Sequence, residues 1–226
     1  MTSGGREFLK WLAAVFMTGD HALKILGLGY VPGIAELGRV AFPLFALVLA
    51  YNLAQPNADI EKSVKRLFLW GIIATPVVAI AFQNVFPLNV LLSLSLSLSL
   101  SLSFALAAAC ILAIERRQWT FLAVCVLLVP AAVDYRWAGV AVVLGGWVFW
   151  RNPWQWRLSK GISALVLLVL PVSLICFFSD TFWALLALPL LLLARINIPI
   201  PSTRSTFYFY YVGHLVFLMG LFYAAV

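Results

Sequence analysis

Charge is what this chain has least of. Only 10% of its 226 residues are Asp, Glu, Lys or Arg, while 64% are hydrophobic. An ordinary soluble domain carries about 25% charged residues. A soluble sphere of this size would lack the polar residues to cover itself. Disorder is excluded for the opposite reason, because the chain is far too apolar. The class that remains is an integral membrane protein. A spanning helix takes about 20 apolar residues, which leaves room for about nine spans and no soluble domain. The reading is one transmembrane domain over residues 1–226. A net charge of +7 would suggest nucleic acid in a soluble protein. Here it reflects cytoplasmic loops rich in Lys and Arg, and no nucleic-acid partner is expected.

Cysteine and histidine are sparse too. Cys110, Cys125 and Cys176 lie in apolar runs, are odd in number and have no metal-ligand spacing. They read as small buried hydrophobes. Two histidines without a carboxylate cluster argue against a zinc site, so no metal is expected. The chain has no P-loop, no Gly-x-Gly-x-x-Gly, no Gly-x-Ser-x-Gly elbow and no His-Glu-x-x-His. No small-residue cleavage site precedes Asp20-His21. The first apolar run therefore reads as a retained helix rather than a signal peptide.

What is present is a succession of apolar runs. They predict an all-α polytopic helix bundle with helices at about 8–28, 33–54, 64–82, 88–114, 118–132, 137–150, 160–178, 181–195 and 205–225. Pro32-Gly33, Gln55-Pro56-Asn57, Asn84 to Pro87, Asn152-Pro153 and Pro199 to Pro201 separate them, as turn residues should. The two short runs at 118–132 and 137–150 read as tilted partners or as one re-entrant pair.

Basic residues test this map. With connections numbered from zero at the N-terminal tail, the even ones hold Arg6, Lys10, Lys62, Lys65, Arg66, Arg116, Arg117, Arg151, Arg157, Lys160, Arg195 and Arg204. The odd ones and the outer end of the first helix hold Lys24 and Arg136, and Arg39 lies inside the second helix. That bias predicts a cytoplasmic N-terminus and an outer C-terminus.

Residues 93–103 alternate Ser and Leu. A period of two normally means a strand, but an open strand leaves its backbone unpaired in hydrocarbon. The run therefore reads as helix. Ser93, Ser97 and Ser101 form one small-residue stripe, which allows close helix packing.

A charge inside the bilayer costs about 3 kcal/mol or more, so intramembrane polar residues are candidates for function. Asp20 and His21 end the segment Met17-Thr18-Gly19-Asp20-His21. As neighbours on a helix they point about 100° apart. Asp20 can reach Lys24 or an arginine of another helix, and His21 can move protons. Arg39 precedes Pro43, which cannot donate to the carbonyl of Arg39. Arg66, with Lys62 and Lys65, is either a cytoplasmic anchor or a site for an anionic ligand. Asn89 reads as a helix cap, and Asp134-Tyr135 as an outer turn. His214 lies mid-helix with Tyr210 and Tyr211 on its face.

Five blocks of sequence resemble one family. They are Met17-Thr18-Gly19-Asp20-His21, Gly38-Arg39-Val40-Ala41-Phe42-Pro43-Leu44-Phe45, Arg66-Leu67, Leu88-Asn89-Val90-Leu91, and Val133-Asp134-Tyr135 with Gly139. Together with Tyr210-Tyr211-Val212-Gly213-His214-Leu215, they resemble the TraX family over about residues 10 to 218. The Ser-Leu run departs from the family, whose helix there is less regular.

That family is known for acetylating the conjugative F-type pilin, and it is similar to transmembrane acyltransferases that use cytoplasmic acetyl-CoA. The resemblance implies acetyl transfer to the N-terminal amine of a pilin subunit, in the bacterial inner membrane. Acetyl-CoA is then the donor, pilin or another small acceptor the partner, and membrane lipid the surroundings. His21 is implied as general base or transient acyl carrier, with Asp20 setting its field or anchoring Arg39. Arg39 and Arg66 are implied to hold CoA phosphates or the thioester oxygen. Asn89 is implied to polarise the carbonyl. His214 and Tyr211 would line the opposite wall, and Asp134 and Tyr135 would meet the acceptor. A glycan or lipid acceptor, a small ion-coupled transporter and a non-catalytic pilus-assembly scaffold remain alternatives. The inverted repeats expected of a transporter are not visible.

Overall fold

The structure, a computed structural model, describes residues 1–82, 100–127, 135–152, 159–203 and 206–225. Among them the chain forms nine helical rods: α1 Ser3–Ile25, α2 Ile34–Leu53, α3 Ile60–Phe82, α4 Leu100–Glu115, α5 Trp119–Leu127, α6 Arg136–Arg151, α7 Lys160–Ser179, α8 Trp183–Arg195 and α9 Thr206–Ala225. No strand occurs among the described residues. Residues 93–99 of the Ser-Leu run lie outside them. Ser101 and Ser103 do not, and both are buried in α4.

α2, α3, α7 and α9 are long and apolar enough to cross a membrane. The outward faces of α3, α7 and α9 carry Phe68, Leu170, Phe177 and Phe209, with Phe177 77% exposed. A soluble helix would place charges there. α1 is as long as α3, yet it carries Arg6, Glu7, Lys10, Asp20 and Lys24 along its 23 residues. Glu7 pairs with Lys10 and Asp20 with Lys24, only Lys24 being exposed, and α1 packs most extensively on α2.

α1 begins earlier than its apolar run suggests, because Thr2 caps it by accepting from the Gly5 amide at 2.9 Å. Thr2 also donates to the carbonyl of Ile196 at 2.7 Å. This ties the start of α1 to the end of α8. At the other end, Gly27, Gly29 and Gly33 all have positive φ, which the turn into α2 needs. α2 then runs unbroken through Pro43.

α8 corrects the expectation of an ordinary α-helix at 181–195. Trp183–Leu186 and Leu191–Arg195 are 3-10 turns around a short α segment at Ala187–Leu190. Pro189 removes one donor from this segment. A 3-10 helix rises about 2.0 Å per residue against about 1.5 Å for α, so a short run reaches further. α7 contains a π segment at Leu165–Val169. Pro171 cannot donate to the carbonyl of Leu167, and that carbonyl leans onto Gly145 of α6.

Side-chain bonds gather the basic connections at one end of the bundle. Arg6 of α1 donates to Asn52 of α2 at 2.6 Å. Arg116, just past α4, pairs with Glu61 of α3, and Arg151 of α6 lies 3.8 Å from Glu115 of α4. Glu7 of α1 accepts from the Thr203 amide, just before α9, at 3.2 Å. The core between these helices is built from Phe42, Leu47, Phe104, Ile111, Val143 and Trp147. Cys110, Cys125 and Cys176 are free and buried.

Candidate functional site

The two histidines are 193 residues apart in sequence and meet in space. Nδ1 of His21 lies 2.9 Å from Nε2 of His214. The ring planes differ by 11°. Nδ1 of His214 lies 2.9 Å from the carbonyl oxygen of Tyr210, one turn back on α9. Phe82, at the end of α3, sets its edge against His21 at 5.3 Å, and the Tyr210 ring lies 5.4 Å from His214 at 15°. One turn below His21, the hydroxyls of Thr18 and Tyr210 share a 2.7 Å hydrogen bond. α1 and α9 are thus joined by two polar contacts along one seam. In a membrane such contacts contribute about 0.6 kcal/mol each, so they fix register more than they supply stability.

Beside this seam is a cavity of about 180 Å³, lined in part by Lys10, Met17, Ser101, Tyr208, Tyr210 and Tyr211. Lys10 and Asn52 also line a second space, of about 320 Å³, together with Arg6, Glu7 and Ser202. The two therefore adjoin at Lys10. Three cations surround the junction, each backed by an aromatic ring. Lys10 lies 5.1 Å from the Phe207 centroid, Arg6 lies 5.6 Å from that of Tyr51, and Arg66 lies 5.5 Å from that of Tyr208. Arg66 also donates to the Tyr208 hydroxyl at 3.1 Å. Glu7 neutralises Lys10 at 2.6 Å. From Lys10 to His21 the axis of α1 climbs about 16 Å at about 1.5 Å per residue.

The opposite end of α1 holds a different chamber. Asp20, Lys24, Tyr30, Glu36, Arg39 and Thr181 are among the residues lining a space of about 440 Å³. Asp20 pairs with Lys24 at 2.6 Å, the nearer of its two expected partners. The helices approach closely here, because a Cβ on Gly38 would lie 2.9 Å from Asp20 Cγ and one on Gly19 would lie 2.9 Å from Ile34 Cγ2. That approach brings Arg39 to the same chamber as Asp20. Tyr30 donates to Glu36, and this bond pushes its phenol above the ordinary range.

The expected site residues thus divide. His21, His214 and Tyr211 converge, with the Tyr211 ring 6.0 Å from that of His214. Arg66 stands at the basic junction. Arg39 stands with Asp20 in the far chamber, so the two arginines do not share one site. Tyr135 stacks on Phe42 at 3.9 Å in a left-handed turn before α6. Asn89 and Asp134 lie outside the described residues. Arg6, Lys10, Thr18 and Tyr210 join the site unexpectedly. The basic pair had read only as topology signals, and the Thr18–Tyr210 bond spans 192 residues.

Among the described residues the fold defines a helical membrane protein with a polar seam, an aromatic cavity beside it and a separate chamber at the far end of α1. The family described as TraX protein matches residues 5–222, and the chain belongs to the TraX family. Protein TraX of Escherichia coli is 41% identical over 71 residues, which cover 31% of this chain and 28% of that protein. Protein TraX of Escherichia coli strain K12 is 39% identical over 69 residues, covering 30% of this chain and 27% of the relative. The alignments therefore span under a third of either relative. No solved structure matches the chain.

Proposed function

We propose that the chain is a membrane-embedded acetyltransferase of the bacterial inner membrane. It moves acetyl from cytoplasmic acetyl-CoA to the N-terminal amine of a pilin subunit. The observation that carries this reading is the aromatic cavity, which has Lys10 at its basic side and, on its wall, Tyr210 and Tyr211, whose rings pack against His214 of the His21–His214 pair. The rise of about 16 Å from Lys10 to His21 along α1 suits the extended pantetheine arm of the donor. The cations take the phosphates, with the basic end of the bundle facing the cytoplasm.

The chemistry balances on these groups. The acceptor nitrogen attacks the thioester carbonyl, a C–N bond forms and the C–S bond breaks. His21 takes the proton that the amine must lose and returns it to the leaving sulfur. The acceptor enters from the far chamber, where Asp20 and Glu36 suit an amine and Arg39 a backbone carbonyl or carboxylate.

Arg66→Ala is expected to raise KM for acetyl-CoA about tenfold, the effect of one lost charge-assisted contact, with little change in kcat. Initial rates across donor concentrations check this, and an unchanged KM removes Arg66 from the donor site. The function is tested with purified protein in proteoliposomes, labelled acetyl-CoA, and three acceptors: a pilin-like peptide, an oligosaccharide and a lipid extract. Label on the peptide is expected. Label on sugar or lipid instead overturns the acceptor, and label on none overturns acetyl transfer.

A further inference from the structure

We infer that His214 is a positioning residue that fixes the tautomer of His21, leaving His21 Nε2 as the bare nitrogen that faces chemistry. What that nitrogen does rests on the acetyl-transfer reading, whereas the tautomer follows from the hydrogen bonds alone.

The chain of bonds is anchored at a backbone carbonyl. A carbonyl oxygen can only accept, so Nδ1 of His214, 2.9 Å from the Tyr210 oxygen, carries a hydrogen. A neutral imidazole holds one N–H, which leaves Nε2 of His214 as a lone pair. That lone pair faces Nδ1 of His21 at 2.9 Å. Nδ1 of His21 therefore carries the hydrogen, and Nε2 of His21 is bare.

Ring geometry agrees. The centroids are 5.2 Å apart, which is the N···N gap plus a ring radius at each end. With an 11° angle between planes, the rings sit edge to edge in nearly one plane. The N–H of His21 is thus aimed along the lone pair of His214 rather than at its face. The competing arrangement puts the hydrogen of His21 on Nε2. It then requires a cationic His214 with both nitrogens protonated. His214 is buried, and its described ring contacts are His21, Tyr210 and Tyr211, none of them acidic. Lys24, one turn beyond His21 on α1, adds positive charge. An unpaired buried cation is disfavoured there.

The consequence is a two-bond relay, His21 to His214 to the Tyr210 carbonyl. When Nε2 of His21 accepts the amine proton, its Nδ1–H already points at an acceptor. The positive charge is then shared toward His214 and the carbonyl dipole. A carboxylate holds the histidine in this way in serine hydrolases. Here a second histidine and a helix carbonyl fill that place.

The test uses the full chain, labelled with nitrogen-15 histidine and folded in lipid bilayers. Two histidines give four ring nitrogens, and solid-state spectra separate protonated from bare ones. Both Nδ1 atoms are expected to be protonated and both Nε2 atoms bare. In His214→Phe, His21 is expected to move toward the Nε2–H form that imidazole prefers in water. Acetyl transfer then falls about 100-fold at unchanged KM for acetyl-CoA. His214→Gln, which keeps an acceptor oxygen, holds His21 in the Nδ1–H form and recovers part of the rate. A hydrogen on Nε2 of either ring in the wild type overturns the inference. So does an unchanged His21 in folded His214→Phe. If that variant fails to fold, the wild-type spectrum alone decides. Absence of acetyl transfer would leave the spectrum unaltered, so the two readings fail separately.

Discussion

His21→Ala is expected to lower acetyl transfer about 1,000-fold, within the range that one positioned proton acceptor contributes. The loss falls on kcat. Lys10, the nearest along α1 of the cations proposed to hold the donor, lies about 16 Å away on that helix, so the KM for acetyl-CoA is expected to stay near its wild-type value. The fold is expected to survive, because among the described residues the hydrogen bonds and ring contacts of the His21 side chain are one hydrogen bond to His214 and one edge contact with Phe82. Losing that hydrogen bond costs about 0.6 kcal/mol, set against the rest of the α1–α2 contact. A comparison of initial rates, with both proteins eluting as single symmetrical peaks, checks this. A folded variant that retains the wild-type rate shows that the proton goes elsewhere.

Gly145→Val is expected to have the largest effect on the fold. A Cβ at Gly145 would collide with the Leu167 carbonyl oxygen and lie 3.1 Å from its carbon. Both atoms are backbone, so no rotamer relieves the clash. That carbonyl is free to lean toward α6 because Pro171 has no N–H to return to it, and the π segment before it widens the turn. The side chains on either side, Val142, Val143 and Trp147, are fully buried, so α6 cannot simply roll away. Overpacking of this kind costs about 1–3 kcal/mol. Thermal unfolding in detergent is expected to shift down by several degrees, with less protein recovered in the membrane. An unchanged midpoint would contradict the α6–α7 contact.

Much of the bundle was legible because the membrane enforces it. Scarce charge and long apolar runs define the helices, and Pro-rich breaks define their limits. The basic residues then fall on alternate connections, which the structure collects at one end through the Arg116–Glu61 and Arg151–Glu115 pairs. What stayed illegible was local pitch. Apolar composition is the same for α, 3-10 and π turns, so α8 and the middle of α7 read as plain helix. The start of α1 was misjudged because its first turns are polar and held by Thr2 rather than by an apolar face.

The site was half legible. Asp20, His21, Arg39 and His214 stand out because polar groups in a span are costly. Their partners do not, because pairing depends on helix rotation. Adjacent residues pointing about 100° apart send Asp20 to Lys24 and the far chamber, and His21 to His214. The hydrogen bond between Thr18 and Tyr210 joins residues that are ordinary in either helix alone. Lys10 and Arg6 looked like topology signals, and only the folded chain brings them to the cavity mouth beside Arg66.

The most direct measurement of the central claim compares two peptides that differ only at the acceptor nitrogen. One has a free N-terminal amine, and the other carries a blocked one. Wild-type protein in proteoliposomes is given labelled acetyl-CoA with each. The account predicts label on the free amine and none on the blocked peptide. Equal labelling of both, or no label on either by correctly folded protein, would contradict it.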